Sequence, residues 1–549
     1  MTDWSTVKGA ADQGDYELYF GYRDEHSFVR EIEQLVGERV ASRLAAQDRT
    51  LWGPEAEEEA GKRLSWVGLA DSSRPLVDEI AELRSQQHEY GLTRVVLCGM
   101  GGSSLAPEVI CEAAGVDLTV LDSSDPDFVR TALETDLDSS VVVVSSKSGG
   151  TVETDSQRRA FERAFTEAGI DPRERIIVVT DPGSPLDQSA TEAGYRVFRA
   201  DPDVGGRYSA LTAFGLVPSG LAGVDLGRLL DEAASISDTL ATDDVDNPGL
   251  RLGALLGAAN LAAVDKLVLA DNGSPYPGFG DWAEQLIAES TGKDGKGILP
   301  VVVEGLDAPN YAPSSADEVL ATFGPVFDFD TVPTSGWGVF VNAPLGAQIL
   351  LWEYATAIAG RILGINPFDQ PDVESAKAAA RSMLDGGGDS PEPAFADGVI
   401  DVYASGDWLP DGTGTVADAV AALLKGLDPN HGYVSVQAYL DRHRDAALAE
   451  VRRSLADITG RPVTFGWGPR FLHSTGQYHK GGPATGVYLQ ITGTPLADLE
   501  IPDRPFTFQT FITAQAVGDG KVLADHGRPV LRLHVNDLGA LSIIREALA

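Results

Sequence analysis

The apolar positions of this chain switch between a helical and a strand period, and the switches lay out its elements. Phe28, Ile32, Leu35 and Val36 recur at 3.6-type spacing, and Val40, Ala41, Leu44 and Ala45 repeat it, so residues 1 to about 90 read as helical. The first strand is expected at Thr93–Cys98, followed by a Gly/Ser loop, Gly99–Ser104, and a helix over Leu105–Ala114. Further strands are expected at Leu118–Leu121, Val141–Val144, Arg175–Val179 and Tyr195–Phe198, with a long helix running to about Ala168. The run Val141-Val-Val-Val144 suits a strand buried on both faces. Strands alternating with helices predict a parallel, doubly wound sheet.

A second unit of the same kind is expected over 245–385. It holds helices at Leu250–Val264, Trp282–Ser290 and Leu345–Gly360 and a strand at Ile298–Val303. Asp385-Gly-Gly-Gly-Asp-Ser-Pro-Glu-Pro393 reads as a linker. Beyond it a helix is predicted over Ala438–Ile458, with strand-like segments at Gly486–Ile491, Phe506–Ala514 and Pro529–Val535. The expected organisation is therefore a helical segment (1–90), two α/β units (91–244 and 245–385) and an extra C-terminal α/β region (386–549).

Composition narrows the partners. The chain has 549 residues, 42 Lys+Arg against 82 Asp+Glu, and a formal charge of −40. That balance argues against nucleic acid, whose binding needs a basic surface, and against docking on an anionic membrane. No apolar run approaches the ~18 residues of a membrane span, and the N-terminus has no basic segment followed by an apolar one. Two cysteines, Cys98 and Cys111, exclude a disulfide scaffold and fit a reducing compartment. The expectation is a cytoplasmic protein.

Two loops at strand ends carry candidate chemistry, because ligands of open α/β sheets bind there. Gly99–Ser104 and Ser145-Ser-Lys-Ser-Gly-Gly-Thr151 both open helices, where bare N–H groups and the helix dipole favour an anion. Gly102, Ser103, Ser146, Lys147, Ser148 and Thr151 are the candidate phosphate contacts. Gly99-x-Gly101 equally suits a tight strand–helix turn. Asp122 near the next strand's end invites a dinucleotide reading, but Ser104 stands where a third glycine belongs.

Gly205-Gly-Arg-Tyr-Ser209 presents Arg207, a fixed cation suited to an oxyanion, or else an ordinary surface turn. In Trp282–Lys293, Gln285 and Glu289 share a helix face. A carboxylate in the last turn opposes the dipole, which is expected to raise its pKa and suits a general base. Only ten of the basic residues are lysines. Two of these, Lys147 and Lys377, lie where a direct role is easiest to argue. Phe471–Pro483 contains His473 and His479, whose spacing is not that of a helix-face pair, and no cysteine lies nearby, so zinc is not expected.

Taken in order, these motifs resemble the phosphoglucose isomerase family, which is built on two sugar-isomerase (SIS) domains. Gly99–Ser104 looks like its first loop, Ser146–Thr154 like its phosphate loop, Gly205–Ser209 and Glu289–Lys293 like its signature regions, and Asn366–Lys377 like its lysine motif. The resemblance covers about residues 90–385. It implies an aldose–ketose isomerase interconverting glucose 6-phosphate and fructose 6-phosphate, as in glycolysis and gluconeogenesis, with no metal and no organic cofactor. Glu289 would move the proton with Gln285 beside it, Arg207 would stabilise the enediolate, and Lys377 with a histidine would open the sugar ring. The family is usually dimeric, so a homodimer is an assembly to consider.

In the family the histidine precedes the lysine motif, but residues 294–376 contain none. The chain is thus most similar to the isomerase part of bacterial transaldolase/phosphoglucose isomerase fusions. The histidine is expected in the C-terminal region, with His479 first and His473 second. A non-catalytic SIS-type sugar-phosphate sensor, a dual phosphoglucose/phosphomannose isomerase and a nucleotide-dependent oxidoreductase are the competing readings.

Overall fold

The computed structural model describes residues 4–9, 16–22, 25–311, 316–325, 336–384 and 391–548. It contains three sheets. In the first, five parallel strands run in the order Thr119–Leu121, Arg94–Gly99, Ser140–Ser145, Ile176–Thr180, Arg196–Arg199. Every residue of Ser140–Ser145 is buried, as its unbroken apolar run requires when helices cover both faces. The chain leaves Arg94–Gly99 toward one edge and later resumes on its other side, so the strand order reverses there. The loops after Arg94–Gly99 and Ser140–Ser145 flank that switch point.

The second sheet pairs the parallel strands Gly338–Asn342, Glu318–Phe323, Lys266–Asp271 and Leu299–Val303. Two further strands, Trp4–Lys8 and Glu17–Gly21, add antiparallel beside Gly338–Asn342. This corrects the helical reading of the first residues. Leu18 and Phe20 point inward and are fully buried while Tyr19 is not, a period of two that the following helices obscured.

The third sheet has the order Phe395–Asp397, Ile400–Ser405, Val530–Val535, Gly486–Gly493, Tyr433–Tyr439, Val463–Trp467. Its last four strands are parallel and its first two antiparallel. Two expectations fail here. Ala438–Ile458 is not one helix. Tyr433–Tyr439 is a buried strand, and Asp441 then accepts from the N–H groups of His443 and Arg444, making a turn before the helix Val451–Thr459. Phe506–Ala514, strand-like in composition, lies largely in the helix Phe508–Asp525, started by Thr507 accepting from Thr510 N–H. Of the expected linker, residues 385–390 lie outside the described residues.

The C-terminal region packs on both earlier sheets through buried ion pairs. Arg461 pairs with Asp317 beside the second sheet at 2.8 Å. Arg470 reaches Glu108 at 2.6 Å and Asp122 at 3.0 Å beside the first, and Arg442 reaches Glu108 at 2.7 Å. The helix Val373–Leu384 lies against Phe508–Asp525, with Gly518 facing the backbone of Ala380 too closely for a side chain to be added without displacement. No helix among the described residues is long and apolar enough to cross a membrane.

Candidate active site

Four loops and two helices converge on one cavity of about 340 Å³ at the switch point of the first sheet. Gly101 and Gly102 permit the convergence. Gly101 has φ +55°, and a Cβ there would stand 2.7 Å from the carbonyl oxygen of His473. A Cβ on Gly102 would collide with the carbonyl of Gly206. The first loop therefore carries no side chain at either position, and Ser103 follows at the cavity wall.

The second loop wraps from the strand Ser140–Ser145 into the helix Val152–Glu167. Ser146 Oγ and Thr151 Oγ1 lie 3.0 Å apart, and Ser148 Oγ accepts from Gly150 N–H. Thr151, which lines the cavity, makes no side-chain cap at the start of this 16-residue helix. Lys147 Nζ donates to Asp181 at 2.6 Å. Burial pulls its pKa down, and Asp181 opposes the fall.

Arg207 is 3% exposed and held on every side. Its Nε donates to Ser290 Oγ at 2.8 Å, Nη1 to Gln370 Oε1 at 2.9 Å, and Nη2 to the carbonyls of Pro367 and Asp369. Lys293 fixes the same loop, donating to the carbonyls of Asn366 and Asp369. Burial, aided by Arg207, pulls the Lys293 pKa down to about 8. Arg207 Nη1 stands 3.7 Å from Glu289 Oε1, while Gln285 Nε2 donates to Glu289 Oε2 at 3.1 Å. The carboxylate thus lies between a cation and an amide. The helix Phe279–Thr291 supplies both Gln285 and Glu289.

Of the residues predicted for the site, Gly102, Ser103, Ser146, Lys147, Ser148, Thr151, Arg207, Gln285, Glu289 and Lys377 all line this cavity. His479 does not. It is 2% exposed, and its Nδ1 and Nε2 lie 3.0 Å and 3.3 Å from Tyr433 Oη and Ser435 Oγ in the C-terminal core. Burial, with Lys480 and Arg528 nearby, lowers its pKa well below the usual imidazole value, so it is neutral and walled off. The first choice of histidine is therefore corrected. His473 lines the cavity, its carbonyl accepting from Gln285 at 2.8 Å and its Nε2 lying 3.0 Å from Glu153 Oε1.

Glu153 escaped the sequence reading because an acidic residue in a helix's first turn is ordinary. Its burial was the missing information. Burial raises its pKa, but His473, its own backbone N–H and Lys377 outweigh that and hold the carboxyl below the usual range. Gln515 also donates to Glu153 Oε1 at 2.7 Å. Gln370 and Arg63, at the cavity wall, were likewise unforeseen. No cluster of His, Cys, Asp and Glu able to hold a metal occurs among the described residues.

Comparison with known proteins gives a consistent picture. Residues 79–294 match the family model described as phosphoglucose isomerase. The chain is 29% identical over 411 residues to a probable glucose-6-phosphate isomerase of Natronomonas pharaonis, covering 66% of this chain and 94% of that one. It is 28% identical to a probable glucose-6-phosphate isomerase of Haloarcula marismortui, covering 53% and 78%. A solved structure of a hypothetical protein from Thermus thermophilus aligns with TM-score 0.58 at 26% identity, over 67% of this chain and 99% of that one. The crystal structure of a glucose-6-phosphate isomerase from Chlamydia trachomatis shares the fold, with TM-score 0.56 at 18% identity over 70% and 91%.

Proposed function

The chain belongs to the phosphoglucose isomerase family, and we propose that it interconverts glucose 6-phosphate and fructose 6-phosphate. The observation that carries this is a cavity in which an anion loop, a carboxylate flanked by Arg207 and Gln285, and His473, whose ring bonds Glu153, face one another.

The phosphate sits on Ser146, Ser148 and Thr151 at the N-terminus of the Val152–Glu167 helix, whose dipole favours an anion, with Lys147 supplying charge. Ring opening needs a proton delivered to the ring oxygen and one removed from the anomeric hydroxyl. His473, oriented by Glu153, and Lys377 perform it. Glu289 then takes the proton from C2 of the open aldose, giving an enediolate; O1 gains a proton as O2 gives one up, and Glu289 returns its proton to C1 to form the ketose. Arg207 stabilises the negative charge on the enediolate oxygen, and its four hydrogen bonds hold it in place before that charge forms. Proton transfer and charge stabilisation account for the whole reaction, because moving hydrogen from C2 to C1 oxidises one carbon and reduces the other within the same molecule.

A sensor that only binds sugar phosphate requires no Glu289, Arg207 and His473 set, so the sensing reading is not favoured. The test is a direct assay of the purified chain with fructose 6-phosphate, detecting glucose 6-phosphate by a coupled enzyme. Turnover that follows protein concentration is expected; binding without turnover overturns the reading.

A further inference from the structure

A second cavity of about 290 Å³ adjoins the candidate active site. The two meet at Ser148, Thr151, Val373, Lys377 and His473, which line both. From this junction they diverge in character. The first is walled by Arg207, Gln285, Glu289 and Gln370, groups that suit the hydroxyls of a sugar. The second is walled by Val152, Ala380, Leu384, Leu472 and Phe511. One anion loop thus opens onto a polar chamber and an apolar one.

Gln515 is 4% exposed and lines the annex wall. Its Nε2 donates to Glu153, an ionised carboxylate that only accepts, which fixes the amide's orientation. Gln515 Oε1 is then left buried without a hydrogen-bond partner. Arg381 lies at the same wall, adding positive charge near an entering anion.

We propose that the annex binds the apolar body of a phosphate monoester whose phosphate occupies the 146–151 loop. Such a compound holds the enzyme inactive in competition with sugar phosphate. The proposal rests on reading that loop as the phosphate seat. A sugar is disfavoured on the annex's apolar wall, because hydroxyls set against Val152, Ala380, Leu384, Leu472 and Phe511 lose water without gaining partners there. An aromatic or branched aliphatic body gains by burial against Val152, Leu472 and Phe511.

Calorimetric titration of the full chain with phenyl phosphate and with methyl phosphate tests this, because the two share a head group and differ in body. Phenyl phosphate is expected to bind roughly tenfold tighter or more, and fructose 6-phosphate is expected to displace it. Leu384→Trp fills the annex from its rim. It should abolish the phenyl advantage while leaving methyl phosphate affinity and the KM for fructose 6-phosphate within about twofold. Equal affinities for the two esters overturn the proposal. So does a phenyl advantage that survives both Leu384→Trp and Ala380→Leu, since the ring then lies elsewhere. If neither ester binds, the phosphate seat and the annex proposal fall together. A phenyl advantage lost in the filled variants, without turnover of fructose 6-phosphate, supports the annex and overturns the isomerase reading alone.

Discussion

The ring of His473 and the carboxylate of Glu153 face each other at 3.0 Å, across 320 positions of sequence. Glu153 belongs to the first turn of the helix that follows the anion loop, and His473 to a short helical turn, Arg470–His473, of the C-terminal region. Since an ionised carboxylate only accepts, Nε2 carries the hydrogen of this bond and Nδ1 is left as the ring's other nitrogen. The pair ties the imidazole's tautomer to a residue of the first α/β unit.

His473 and His479 separate cleanly by experiment. His473→Ala is expected to lower kcat on fructose 6-phosphate by about 10²-fold or more. The loss should largely vanish on 5-deoxyfructose 6-phosphate, which has no O5 to close a ring and so bypasses the opening step. His479→Ala, by contrast, removes a neutral ring from a hydrogen-bonded core. It should lower the melting temperature while kcat of the folded enzyme stays within a few-fold. A loss of kcat confined to His479→Ala refutes the assignment.

Glu289→Gln keeps the side chain's size but cannot accept a proton. Turnover is expected to drop by about 10³-fold while inhibitory binding of a non-isomerisable sugar phosphate changes little. Exchange of solvent deuterium into the substrate should disappear in parallel, as both require the same proton transfer. Continued exchange at the original rate places the base elsewhere.

Arg207→Lys tests whether the guanidinium's shape matters as well as its charge. Lysine cannot replace four hydrogen bonds made to Ser290, Gln370, Pro367 and Asp369 from one planar group. A fall in kcat of about 10²-fold is expected, with a stability loss of about 1–2 kcal/mol. Calorimetric melting and steady-state rates measure the two effects separately. Wild-type rates with lysine at this position refute a role in stabilising the enediolate.

Acid should loosen the docking of the C-terminal region. Burial raises the pKa of Glu108, but Arg470 and Arg442 outweigh it and hold the carboxyl down to about 2. A depressed carboxyl contributes its stability fully above the unfolded value of about 4.5, and loses it as pH falls from there toward 2. Glu108→Gln is therefore expected to destabilise the protein by about 3 kcal/mol at pH 7, since it leaves two buried arginines short of a partner. The difference from the parent should shrink below pH 4. Denaturant melts at pH 7 and pH 3.5 check the sign, and a deficit that grows on acidification contradicts it.

Much of the site was legible in the chain because its parts are local. An anion loop needs hydroxyls and glycines between a strand and a helix, and Ser146–Thr151 has them in consecutive positions. Gln285 and Glu289 share a helix face by their spacing alone, which fixes their hydrogen bond before any packing is known. Strands buried on both faces, such as Val141–Val144, declare themselves by composition. The segments that misled were those in which local preference lost to context. Phe506–Ala514 has a strand's residues and a helix's cap, and Ala438–Ile458 has a helix's period interrupted by the turn at Asp441.

By itself the sequence determined the α/β order and singled out the two Gly/Ser loops, Glu289, Arg207 and Lys377 that the fold brings to one cavity, each marked by neighbours a few positions apart. Only the tertiary structure decided between His473 and His479, six residues from one another. Both stand in a glycine-rich stretch with the same chemistry, and no local pattern tells them apart. The choice depends on which ring meets Glu153 and which is enclosed by Tyr433 and Ser435. Those contacts span 44 to 320 residues of chain: the first exists only once the C-terminal region has packed against the first sheet, the others once that region has itself folded.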